Sequence, residues 1–186
     1  MREPIDDPNA GTVTVNDGLR QELLALADQE QSFLGAPERD PNSDQDQRQV
    51  LELLGRLTRR LVEILDTHRW PGKSLVGEDG AEAAWTLALH TMHDPDVLRR
   101  CLTLMRGAAA AGEAEPWQVA FLVDRVSLVE RNVQVYGTTI CRQADGSFGP
   151  PLLEDPDRVD ERRRAVGLPP LDQEVRRIEA YYRRVG

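Results

Sequence analysis

The chain has 186 residues, the size of one domain and enough to bury a core of its own. Lys and Arg number 23 against 32 Asp and Glu, a net charge of −9, which argues against a general nucleic-acid binder with a basic face. There is no apolar run long enough to span a membrane, no apolar leader in Met1–Pro8 and no disulfide framework in two cysteines, Cys101 and Cys141; a soluble, cytoplasmic protein is expected.

The acidity is uneven, with four Arg against eleven acidic residues in 1–48. Residues 1–16, rich in Pro, Asp, Asn and Gly and without periodicity, read as a flexible acidic arm, and 17–186 as a single helical domain. Asn16 and Asp17 are good caps for a first helix, which carries Leu19, Leu23, Leu26, Ala27 and Leu34 until Gly35-Ala36-Pro37 ends it. Ser43 caps a second, over about 44–67, with a stripe of Val50, Leu51, Leu54, Leu57, Leu61, Ile64 and Leu65. Arg69-Trp70-Pro71-Gly72 stops it, because proline lacks the amide hydrogen of a helix interior. The glycine-rich stretch to Gly80 reads as an ordered lid or wall with Trp70 as an apolar plate. It is not a phosphate loop, since Thr67 stands where the first glycine of that pattern belongs. A third helix follows over about 81–92. Asp94-Pro95 starts a fourth, ending at Gly112, and Glu115-Pro116 a fifth, to about 131.

The period then changes. Val133–Cys141 alternates and is β-branched, so a strand is predicted, with a turn at Asp145-Gly146 and a return strand before Pro150. Asp155-Pro156 opens a sixth helix ended by Gly167. Asp172 caps a last one, to about 184, with Val175, Ile178 and Tyr182 inward. The fold class is mainly α: a single-domain helical bundle of about six to seven helices with a small β-hairpin near residues 133–149.

The chemistry-bearing candidates sit among apolar residues. Asp124 lies in the fifth helix with Ala120, Phe121 and Leu128 as helical neighbours. Such a carboxylate is paired, hydrogen-bonded or protonated, so it is either a general base or cation anchor, or the partner of Arg125 or another arginine. His90 closes the third helix and is either an acid/base group or substrate contact, or a core histidine. His93 and Asp94 follow it, but Asp94 is better used as a cap, and no metal is expected. Arg162–Arg164, flanked by Asp157, Asp160 and Glu161, reads as a run of surface pairs.

Several segments taken in order resemble a bacterial family, the domain of unknown function 6624 (DUF6624). They are Trp70-Pro71-Gly72, Val76-Gly77, Gly80-Ala81, Ala84-Trp85, His90, Asp94-Pro95 and Gly112-Glu113, then Ala120–Arg125, Gln134-x-Tyr136-Gly137-Thr138, Val159-Asp160-x-Arg162-Arg163 and Gly167-Leu168-x-Pro170-Leu171. The likeness runs from about 19 to 182. It implies that Trp70, His90, Asp124, Arg125 and Tyr136 belong to one motif set, and implies no activity. Two positions depart from the family pattern: Leu89 and Thr139 stand where glutamines are usual.

The function these residues point to is a small-molecule enzyme using acid/base chemistry (hydrolysis, elimination, isomerisation or cyclisation) in a pocket between helices. His90 and Asp124 would be catalytic, and Trp70, Arg125 and Tyr136 would bind substrate. The alternative is a non-catalytic ligand-binding or protein-interaction domain whose His, Asp and Arg form a structural network. The expected partner is a small molecule, with no nucleic acid, membrane, metal or cofactor.

Overall fold

The computed structural model describes residues 15–36, 40 and 43–185. Most of the predicted acidic arm lies outside them. The described residues form seven α-helices and one two-stranded hairpin: α1 (Asp17–Leu34), α2 (Asp44–His68), α3 (Lys73–Leu89), α4 (Pro95–Ala110), α5 (Pro116–Arg131), β1 (Cys141–Arg142), β2 (Phe148–Gly149), α6 (Val159–Ala165) and α7 (Leu171–Val185). Short 3-10 turns at Thr91–His93 and Pro156–Arg158 precede α4 and α6. No described helix is long and apolar enough to cross a membrane.

Local chemistry sets most helix starts. The side chains of Asn16, Ser43 and Asp94 accept from the amides of Leu19, Asp46 and Val97, filling donors a helix leaves open in its first turn. Glu115 and Gln118 close a capping box at α5.

Helix α3 is the hub and packs on α1, α2, α4 and α5. Its inner residues are small: Gly80, Ala81, Ala83, Ala84 and Ala88 are buried, which lets neighbouring helices approach closely. Around it lie Leu23, Leu61, Ile64, Leu65, Leu98 and Met105, all nearly sealed from solvent, as is its own Val76. Leu53 takes a core place on α2, while Leu51, predicted inward, is exposed.

Helix α3 also starts earlier than the glycines suggest. Residues 73–80 are helical, interrupted only at Gly77, whose φ of +74° breaks the helix path. Gly72 serves a close approach instead. A Cβ there would fall 2.6 Å from the Glu113 Cβ.

The predicted strand at Val133–Cys141 shrinks to Cys141–Arg142, paired antiparallel with Phe148–Gly149. The residues before it form a loop folded over α5. Helix α7 buries Val175 and Ile178 only in part, and Tyr182, predicted inward, is 54% exposed.

Candidate functional site

Asp124 is completely buried, and the loop after α5 wraps around its carboxylate. One oxygen accepts from the amides of Val135 (2.7 Å) and Tyr136 (2.9 Å). The other accepts from the Thr138 amide (2.8 Å) and hydroxyl (2.9 Å). Gly137, at φ +66°, makes the turn that aims these amides inward. The Gln134 side chain closes the same loop, accepting from the Thr139 amide at 2.7 Å and donating to its carbonyl at 3.0 Å. The loop's outward carbonyls meet arginines. Arg163 donates to Tyr136 (2.8 Å), Gly137 (3.3 Å) and Pro169 (2.6 Å), and Arg162 donates to Val135 (2.8 Å). Burial pulls the Arg163 guanidinium below its usual value, opposed by the fields of Glu174, Asp160 and Asp124. Arg163 is therefore a core residue, not the surface pair predicted for it. No hydrogen bond or ion pair joins Asp124 to an arginine or to His90 among the described residues. Main-chain amides take the place foreseen for a cation.

His90 caps the C-terminus of α3, half exposed. Its Nδ1 lies 2.7 Å from Glu30 Oε2 on α1, and that carboxylate is 1% exposed. The contact is one of proximity and charge, since neither atom has a hydrogen-bond partner among the described residues. Glu30 was not among the candidates read from the sequence. The signal was there: it continues the stripe Leu19, Leu23, Ala27, filling the gap before Leu34. His93 turns elsewhere, with Nε2 3.3 Å from the Thr58 hydroxyl and Nδ1 3.2 Å from the His90 carbonyl.

Arg125 is half buried and makes one polar contact, Nη1 to the Thr139 hydroxyl at 3.2 Å. Its Nε is buried without a partner, and no carboxylate pairs with it among the described residues. Burial lowers its affinity for its proton, with Asp124 opposing. An arginine stays charged regardless, so this is a desolvated cation without a counter-ion. Helix α3, which His90 caps, and the 91–93 turn that follows it both pack on α5, which carries Arg125.

Trp70 is buried beside Pro71 and Gly72, and its indole N–H is also without a partner. The Tyr136 ring is half buried, its backbone held by Asp124 and Arg163, and its hydroxyl bonds to no described residue. Separate sequence motifs thus meet in space. Glu113 accepts from the Lys73 amide (3.2 Å) and the Ser74 amide (2.8 Å), joining Gly112-Glu113 to Trp70-Pro71-Gly72. Asp124 joins the fifth helix to Tyr136-Gly137-Thr138, and Arg163 joins that loop to Pro169.

These features define a mainly α domain in which a buried-carboxylate clamp and a carboxylate–imidazole pair stand on neighbouring helices. A family model described as family of unknown function (DUF6624) matches residues 17–185, so the chain belongs to that family. No curated protein and no solved structure matches the chain.

Proposed function

We propose that the chain is a cytoplasmic acid/base enzyme acting on a small anionic molecule. The observation that carries this reading is the 2.7 Å approach of the sealed Glu30 carboxylate to the half-exposed His90 imidazole. A carboxylate behind a histidine fixes the ring and its tautomer. A proton held on Nδ1 by the nearby Glu30 charge would leave Nε2 basic, able to take or give a proton. Arg125 holds the substrate's anionic group, for which its unpaired, desolvated guanidinium is suited. The Tyr136 hydroxyl, on the loop that Arg125 contacts, is a free donor for the same ligand, whereas Trp70, at the opposite end of α3 from His90, is not assigned to it. Asp124, proposed from sequence as catalytic, acts as the positioning residue that sets the Tyr136 loop beside Arg125. Hydrolysis, elimination, isomerisation and cyclisation all fit a single proton-transfer histidine.

The test is a set of variants assayed by NMR against small carboxylate and phosphate compounds. His90→Gln is expected to cut turnover by about 10²–10⁴-fold. Glu30→Gln is expected to lower kcat by about 10–100-fold, and Arg125→Gln to raise KM. Turnover unchanged in His90→Gln sinks the reading. Long-range ¹⁵N spectra add a check that needs no substrate: neutral His90 carries its proton on Nδ1, and Glu30→Gln releases that preference.

The density of main-chain bonding around Asp124 favours a second reading, a non-catalytic ligand-binding domain. Under it, Arg125→Gln abolishes ligand binding while His90→Gln changes nothing.

A further inference from the structure

A cleft lies away from His90 and Glu30, between the hairpin and α7. It has a volume of about 660 Å³, within the usual range of roughly 300–1,000 Å³ for small-ligand sites. Its walls combine three chemistries. Phe148 and Tyr182 stack at 5.1 Å with planes 23° apart, and Tyr182 is 54% exposed. Arg142 and Arg183 bring two cations to the same walls, and Ile140 adds an apolar surface. Glu179 also lines the cleft and pairs with Arg183 at 3.2 Å. Arg142 makes no ion pair among the described residues, so the cleft keeps a local positive charge on a chain of net −9.

An exposed ring stack beside an unpaired guanidinium suits a flat, anionic compound. Aromatic faces take heteroaromatic rings in a sequence-tolerant way, and arginine forks onto phosphate or carboxylate. A carboxylate on the rim accepts from ring amino groups or sugar hydroxyls. The chain's overall negative charge disfavours a polymer of phosphates but leaves one phosphate tolerable. We propose that this cleft is a mononucleotide-binding site, with the base on Tyr182, the phosphate on Arg142 and Arg183, and Glu179 on the sugar or base edge. It is separate from the proposed proton-transfer site, and its test does not depend on that reading.

Cys141 lines the same cleft and is exposed, whereas Cys101 is fully buried, its thiol pushed up to about 12 by desolvation. Alkylation by iodoacetamide therefore reports on the cleft alone, as one adduct per chain in mass spectrometry. AMP is expected to slow that alkylation saturably. Arg142→Gln and Tyr182→Ala, both at exposed side chains, are each expected to weaken protection about tenfold or more. Adenosine and ribose 5-phosphate, each carrying half the recognition, are expected to protect at least tenfold more weakly than AMP. Circular dichroism checks that the variants fold, and calorimetry on Cys141→Ser checks that alkylation chemistry is not the cause. The proposal is overturned if millimolar AMP gives no protection, or if inorganic phosphate protects as well as AMP. It is equally overturned if both variants keep full protection, or if sedimentation shows Cys141 covered by a second copy of the chain without ligand.

Discussion

A carboxylate sealed from water costs several kcal/mol unless donors or cations answer its charge. Glu30 and Asp124 are both sealed, and the chain answers them differently. Asp124 has four hydrogen bonds from one loop, all within 2.9 Å. Glu30 has one imidazole, itself half in solvent. Asp124→Ala would orphan three amides and a hydroxyl, and is expected to cost about 3–5 kcal/mol, with Asp124→Asn milder because one acceptor remains. Glu30→Met, by contrast, removes a buried charge and leaves His90 able to turn to water. It is expected to be neutral or to add up to about 1 kcal/mol, as is common when a functional polar group is replaced. Thermal unfolding of the two variants separates them. A loss in Glu30→Met equal to that in Asp124→Ala would make Glu30 a structural residue and remove the basis of the proposed chemistry.

At the scale of elements, α1 is held to the bundle by core leucines and by two surface pairs. Arg20 donates to Asp79 on α3, and Arg60 on α2 donates to Glu22. Both carboxyls are pulled below their usual values by these bonds, Asp79 to about 2. A depressed carboxyl contributes stability above its unfolded value near 4, and that contribution is lost as pH falls toward 2. The pairs are exposed, so salt screens them. Hydrogen exchange is therefore expected to show α1 amides losing protection first on acidification from pH 6 to pH 3, and sooner in high salt. The junction of α2 and α3 gives a second prediction. Gly72→Ala places a Cβ 2.6 Å from Glu113 Cβ and is expected to cost about 1–3 kcal/mol by chemical denaturation, through overpacking. That same glycine shows why parts of the fold were illegible in the sequence. Caps at Asn16, Ser43 and Asp94 act within three residues and could be read directly. Gly72 and Gly80 serve contacts with Glu113 and Val76, yet they looked like loop residues and hid the start of α3. The alternation at 133–141 promised a strand, but those amides bind Asp124 and Gln134 side chains, a destination no local pattern reveals. Glu30 was missed because charge outweighed its place on the apolar stripe, and its partner lies 60 residues away.

Across the whole molecule, the two ends of the chain are held by different forces. Every buried member of the apolar core precedes Val123, with half-buried residues extending it to Val129. After Asn132 the one buried apolar side chain among the described residues is Val159, while Gln134 and Arg163 are buried polar residues. The C-terminal third, with the hairpin, α6 and α7, packs chiefly on itself. It is attached through the four bonds to Asp124, the Arg125–Thr139 bond at 3.2 Å and the Arg131–Glu154 pair at 2.9 Å, while Gln134, Arg162 and Arg163 tie the segment to itself. Hydrogen bonds depend on geometry at every partner, so such an attachment opens as a unit when its centre is removed, whereas apolar packing is lost globally. Asp124→Ala is expected to expose amides of 133–171 to exchange and this segment to proteolysis, while α2–α4 stay protected. Leu61→Ala, at a site with no exposure, is expected to cost about 2–5 kcal/mol and to lower protection throughout the bundle. If the two variants gave the same exchange pattern, the domain would be one cooperative unit and the clamp no more than another core contact. If they differ as expected, the Tyr136 loop and the hairpin cleft share one hinge at Asp124, and a ligand in the cleft would raise the protection of residues 133–171 specifically.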